Sequence, residues 1–134
     1  LIAEPKMVRF AVCGAHLSGQ PLNNQLTERG AIFIGTAKTA PVYQFYALPG
    51  GTIERPGLVR HNRGKSIDLE LWDIPEVNLG TFIASIHAPL GVGRVELADG
   101  TNVLGFICES YAIQNAENIT EFGGWRSYIS SKTN

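Results

Sequence analysis

An apolar run, Phe10-Ala-Val-Cys13, passes directly into a polar, glycine-bearing loop, Gly14-Ala-His-Leu-Ser-Gly19, and then into Gln20-Pro-Leu-Asn-Asn-Gln-Leu26. That order predicts a strand, a tight loop and a short helix, a junction that presents backbone N–H groups to a ligand. Anions are what such groups hold best. His16 stands in the middle of the loop, beside Ser18 and upstream of Asn23 and Asn24. A side chain that titrates near neutrality beside a backbone anion cradle suits chemistry on a carboxylate.

Around this junction the pattern favours strands. Met7 to Cys13 reads as the first strand, and Leu22 to Arg29 as a short helix entered through Pro21 and left before Gly30. Ala31 to Thr39 and Val42 to Ala47 are rich in β-branched and aromatic residues, with Pro41 between them, and Leu48-Pro-Gly-Gly51 ends the second. Pro56-Gly57 predicts a turn, and Arg60-His-Asn-Arg-Gly64 a polar surface loop. Lys65 to Trp72 alternates, with Ile67, Leu69 and Leu71 on one face and Ser66, Asp68, Glu70 and Trp72 on the other.

From Glu76 the period changes, since Leu79, Phe82, Ile83 and Ile86 fall at helical spacing. His87 to Gly93 breaks that helix, and Asp99-Gly100 predicts a hairpin between a strand through Val95 and Leu97 and another from Asn102 to Glu109. Ser110 to Ala116 suits a helical turn, and Phe122 to Ile129 a short closing helix with two aromatics. The class expected is α+β, with a curled antiparallel or mixed sheet.

With 134 residues, 44% of them hydrophobic, the chain can bury a sizeable core as a single domain, residues 1–134. Eleven Lys and Arg against 12 Asp and Glu give a net charge of -1, which leaves no electrostatic footprint for nucleic acid. Cys13 and Cys108 sit in apolar runs with no paired spacing, so they read as buried thiols of a reducing compartment. No stretch reaches the roughly 18 apolar residues of a membrane span, and Leu1-Ile-Ala-Glu-Pro5 is no signal peptide. Cytoplasmic localisation is expected. The start without methionine leaves room for a longer parent polypeptide.

Each candidate residue has a functional and a structural reading. His16 is either a proton-transfer group or a loop side chain bonded to backbone. Asn23 either caps the short helix or, like Asn24, donates to a bound carboxylate. Glu70, two residues before Trp72, is either a carboxylate walled into a cleft as an acid or base, or a solvated strand residue. Glu109, at a strand end, is its rival. His87 suits a helix end, and His61, between Arg60 and Arg63, suits solvent. Tyr46 either lines a pocket or packs on its strand, and Arg126 in Gly123-Gly-Trp-Arg126 either pairs with a dianion or fastens the last helix. The three histidines form no metal motif, and the loop lacks a nucleotide-binding fingerprint.

Taken in order, several runs resemble the C-terminal domain of allophanate hydrolase, which has the gamma-glutamyl cyclotransferase-like fold. They are Gly14-Ala-His-Leu-Ser-Gly19 with Pro21-Leu-Asn23 and Gln25-Leu-Thr-Glu-Arg-Gly30, Tyr46-Ala-Leu-Pro-Gly50, Arg55-Pro-Gly-Leu58 and Glu70-Leu-Trp72. Ala88-Pro-Leu-Gly91, Val95-Glu-Leu-Ala-Asp-Gly100, Gly105-Phe-Ile-Cys-Glu109, Ile119-Thr120 and Phe122-Gly-Gly-Trp-Arg126 complete the set. The resemblance implies a curled mixed sheet or small barrel with short flanking helices. In that family an amidase domain releases ammonia from allophanate, and this domain helps to decarboxylate the N-carboxycarbamate that remains.

The resemblance thus implies a small carboxylated urea derivative as ligand, an amidase domain in the same full-length chain, and no cofactor. His16 takes the catalytic role, while Gly14, Ala15, Leu17, Ser18, Gly19, Asn24, Tyr46 and Arg126 hold substrate, and Glu70 or Glu109 supplies a further acid or base. A non-catalytic domain that stabilises the amidase, and a gamma-glutamyl cyclotransferase, are the other functions considered. Exposed Trp72 or Tyr128 would also give a patch for a homodimer, unless both complete the core.

Overall fold

A computed structural model describes residues 5–133, so Leu1-Ile-Ala-Glu4, at the start judged to be no signal peptide, lies outside the described residues. Among the described residues eight strands and three α-helices follow one another: β1 (Met7–Val12), α1 (Asn24–Thr27), β2 (Ile32–Lys38), β3 (Tyr43–Leu48), β4 (Arg55–Arg60), β5 (Asp68–Pro75) and α2 (Glu76–Ala84). After them come β6 (Leu90–Glu96), β7 (Asn102–Cys108), β8 (Glu117–Asn118) and α3 (Trp125–Lys132), with single 3₁₀ turns at Ser110–Ile113 and Thr120–Phe122. The main sheet has the order β2-β5-β1-β7-β6, and a smaller one the order β4-β3-β8.

The main sheet is mixed, because β1 runs antiparallel to β5 and parallel to β7. Its outer strands meet at one corner, through a bridge between Thr39 and Leu97, and the sheet does not close into a barrel. Thr39 is fully buried there and ties the corner down, its hydroxyl donating to the Ala40 carbonyl and accepting from the Ile67 N–H. Both faces of the central strands contribute to the core, since Phe10 and Ala11 on β1 and Leu69 and Trp72 on β5 all belong to it. Phe10, Val12, Phe45, Ile74, Phe82 and Ile119 are fully buried, and the helical spacing of Leu79, Phe82 and Ile86 turns α2 toward this core.

Three local expectations are corrected. Pro56-Gly57 is not a turn but lies inside β4, paired with Ala47 and Tyr46. An edge strand tolerates proline, and Gly57 suits the place because a Cβ there would stand 2.8 Å from Cys108 Sγ. The alternating strand begins at Asp68 rather than Lys65, because Lys65 is drawn across to Tyr43, whose carbonyl accepts its N–H at 2.8 Å. Helix α1 shrinks to four residues, and Asn23 does not cap it, since its amide donates to the His16 carbonyl at 2.8 Å instead.

Trp72 and Tyr128, expected as a patch for a second copy, are buried in the domain's own core. The apolar side chains that do stand exposed include Ile32, Phe33 and Ile34 on β2, with Val77 and Tyr111 elsewhere. Among the described residues no helix is long and apolar enough to cross a membrane.

Candidate active site

The loop after β1 has two faces, and the sequence puts different chemistry on each. His16 is 7% exposed, with its ring edge-on to Phe82 at 5.3 Å and tilted on Phe106 at 5.2 Å. Helix α1 brings Gln25 against it, and Nε2 lies 2.8 Å from Gln25 Oε1. A carbonyl oxygen only accepts, so with the amide in this orientation the proton is on Nε2 and the Nδ1 lone pair is left over. Every fully buried side-chain nitrogen or oxygen among the described residues has a partner, and Nδ1 has none, so it stands open.

A cavity of about 110 Å³ lies beside it, lined by His16, Cys13, Ala15, Leu22, Gln25, Arg55, Pro56, Leu58 and Phe106, and closed by Ser85, Ile86, His87 and Leu90. Burial pulls the His16 pKa down, the Gln25 bond raises it in part, and the charge of Arg29 lowers it further. His16 is therefore neutral at pH 7. Arg55 supplies the cationic side of the cavity. Its guanidinium donates to the carbonyls of His87 and Ala88 at 3.2 and 3.0 Å, and among the described residues it makes no ion pair with a carboxylate. A guanidinium has five N–H donors, so capacity remains for an anion. The backbone N–H groups of Gly14, Ala15 and His16 likewise meet no acceptor among the described residues. Burial pushes the Cys13 thiol up to about 12, which leaves it a protonated wall of the cavity.

On the other face of the loop the polar groups are paired with one another. Glu70 is 3% exposed, and its Oε1 accepts from the Ser18 N–H, the Ser18 hydroxyl and Trp72 Nε1 at 2.9, 3.0 and 3.1 Å. Its Oε2 accepts from Arg126 at 2.9 Å, and the same Arg126 nitrogen donates to the Ser18 carbonyl at 2.7 Å. Burial by itself raises the Glu70 pKa, and the donors from Ser18, Arg126 and Trp72 more than offset it, so the carboxyl is held below the ordinary range.

Of the residues expected at the site, Gly14, Ala15 and His16 stay together at or beside the cavity. Leu17 and Arg126 line a separate, open groove with Lys38 and Asp68, while Ser18 belongs to Glu70 and Gly19 is an exposed turn residue at φ 80°. Asn24 is exposed and donates to Glu28, Glu109 is exposed, and the Tyr46 hydroxyl donates to Gln44. Among the described residues no three His, Cys, Asp or Glu side chains converge to hold a metal ion. Sequence reasoning missed Arg55 and Gln25 as site residues. Both lie in runs that carried the resemblance, Arg55-Pro-Gly-Leu58 and Gln25 to Gly30, and that was the available signal.

The model of the family described as the allophanate hydrolase C-terminal domain matches residues 8–130. A urea amidolyase of Lachancea kluyveri is 43% identical over 133 residues, covering 96% of this chain and 7% of the relative. The chain therefore spans a small part of the length of such relatives. Among solved structures, an allophanate hydrolase of Kluyveromyces lactis superposes with a TM-score of 0.92 at 42% identity, over 95% of this chain and 22% of that one. A uropathogenic E. coli-specific protein superposes with a TM-score of 0.86 at 31% identity, over 93% of this chain and 97% of its own. A mouse aig2-like protein, at 20% identity and a TM-score of 0.58, over 79% of this chain and 78% of its own, shows the gamma-glutamyl cyclotransferase-like fold alone.

Proposed function

The chain belongs to the allophanate hydrolase C-terminal domain family, and from that premise we propose that its His16 cavity decarboxylates N-carboxycarbamate released by an amidase domain of the parent chain. The observation that carries this reading is the open Nδ1 of a neutral His16 in a small cavity that also holds Arg55, a cation with no carboxylate partner among the described residues. Arg55 and the backbone amides of Gly14 to His16, which meet no acceptor among the described residues, suit the carboxylate that is retained. A dianion beside His16 favours the imidazolium, so binding draws a proton onto Nδ1. That proton then passes to the substrate nitrogen as its bond to the departing carboxylate breaks, giving carbon dioxide and carbamate with one proton consumed.

One observation favours a non-catalytic domain that stabilises the amidase: among the described residues no carboxylate lines the cavity, so no carboxylate stands there as an acid-base partner for His16. The same absence disfavours gamma-glutamyl cyclotransfer, whose relatives use a glutamate. The experiment measures labelled carbon dioxide leaving freshly made N-carboxycarbamate with the 134-residue chain present or absent. Faster release with the chain supports decarboxylation. Equal release leaves the stabilising role.

A further inference from the structure

Ser18 is gripped at three atoms by two residues distant in sequence. Its N–H and hydroxyl donate to Glu70 on β5, and its carbonyl accepts from Arg126 on α3, which also binds Glu70. Ser18 lies two residues beyond His16, and on the nearer side the loop is closed by the Leu17 N–H on the Gly14 carbonyl at 3.0 Å. His16 and Leu17 consequently turn to opposite sides, one toward the small cavity and one toward the groove that Arg126 lines.

We propose that Glu70, braced by Arg126, is the positioning residue of this loop, fixing through Ser18 where the His16 imidazole stands in the cavity. This deepens the decarboxylase reading and rests on it for its effect on rate. A carboxylate that served only to stabilise the fold would need no more than satisfied oxygens. Glu70 instead spends two of its four bonds on one loop residue, and Arg126 adds a third to that same residue. Val12, the last residue of β1, is registered opposite Glu70, so the anchor sits where the loop leaves the sheet. Rigid anchoring at that point fixes the direction of the loop, and a misplacement of about 1 Å at a reacting group costs about 10²-fold in rate.

The test combines rate with a signature of His16 itself. Nitrogen-15 spectra of the imidazole in the 134-residue chain report the tautomer and the exchange of the Nε2 proton with water. With Glu70→Gln, the proposal expects a mixed tautomer, faster Nε2 proton exchange, and a kcat for carbon dioxide release lower by about 10²-fold with KM little changed. Arg126 is half exposed, so Arg126→Met leaves the core intact, and it is expected to shift the same spectra in the same direction. Arg126→Lys should restore part of the effect. If Glu70→Gln does not fold, Arg126→Met decides. Unchanged His16 spectra in the folded variants, with only a lower melting temperature, overturn the proposal. Should the wild type release no carbon dioxide, the decarboxylase reading fails, while the spectra still decide whether Glu70 positions His16.

Discussion

His16 and Glu70 are both buried titratable groups in contact with one loop, yet the fold treats them in opposite ways. Glu70 receives four donors, three on Oε1 and one on Oε2, and is held as a carboxylate. His16 receives one partner, is held neutral, and keeps a lone pair facing a cavity. Nδ1 opens on the cavity rather than on packed core, so no buried polar group is left unsatisfied and the lone pair is available to a ligand. On the function proposed for the cavity, the difference separates the group that would transfer the proton from the group that would hold it in place.

The largest effect expected breaks the comparison at its functional end. His16→Ala should slow carbon dioxide release by ~10²- to 10⁴-fold, the usual cost of losing a general acid or base, while His61→Ala leaves the rate unchanged. His61 is exposed, and its ring accepts from the Arg63 N–H. Equal rates for wild type and folded His16→Ala would remove His16 from the chemistry. Next comes the cation. Arg55→Met should raise KM by about 10- to 100-fold, as for the loss of charge-assisted bonds to a carboxylate, whereas Arg60→Met should not, because Arg60 is spent on Glu96. Steady-state kinetics on both variants checks this.

Much of the architecture behind this contrast was legible from residues. The strand-loop-helix order, the helical spacing of Leu79, Phe82 and Ile86, and the Asp99-Gly100 hairpin are local signals, and the structure keeps them. Pro56-Gly57 misled because a strand can carry those residues when it lies at an edge against Cys108, which is a tertiary fact. At the site, the loop chemistry of His16 was visible, whereas the commitment of Ser18 and Arg126 to Glu70 joins residues 52 and 56 positions apart. Nor does alternation along β5 show that Glu70 and Trp72 are covered on the face that sequence left open to solvent.

Two smaller effects sharpen the structural end. Because the folded-state pKa of Glu70 lies below its unfolded value, its contribution to stability is present above that ordinary value of 4.5 and is lost as pH falls through the depressed one. The stability gap between wild type and Glu70→Gln should thus be widest near neutrality and narrow on acidification, as read by urea unfolding across pH. A gap independent of pH would mean that the charge of Glu70 contributes nothing. Ser18→Ala removes one hydroxyl bond and keeps the N–H bond, so its cost in the same unfolding experiment should be only ~1 kcal/mol.

The central claim is that His16 is neutral in the empty cavity and takes up a proton at Nδ1 when a dianion enters. Malonate, in which a methylene replaces the reacting nitrogen, is a stable probe, and nitrogen-15 titration of the His16 ring reads protonation directly. Without malonate, the ring should titrate below the ordinary histidine value of 6.5 and show the Nε2–H tautomer at neutral pH. With malonate bound, its midpoint should rise. A His16 already protonated in the empty cavity, or a midpoint that bound malonate leaves unmoved, would contradict the account.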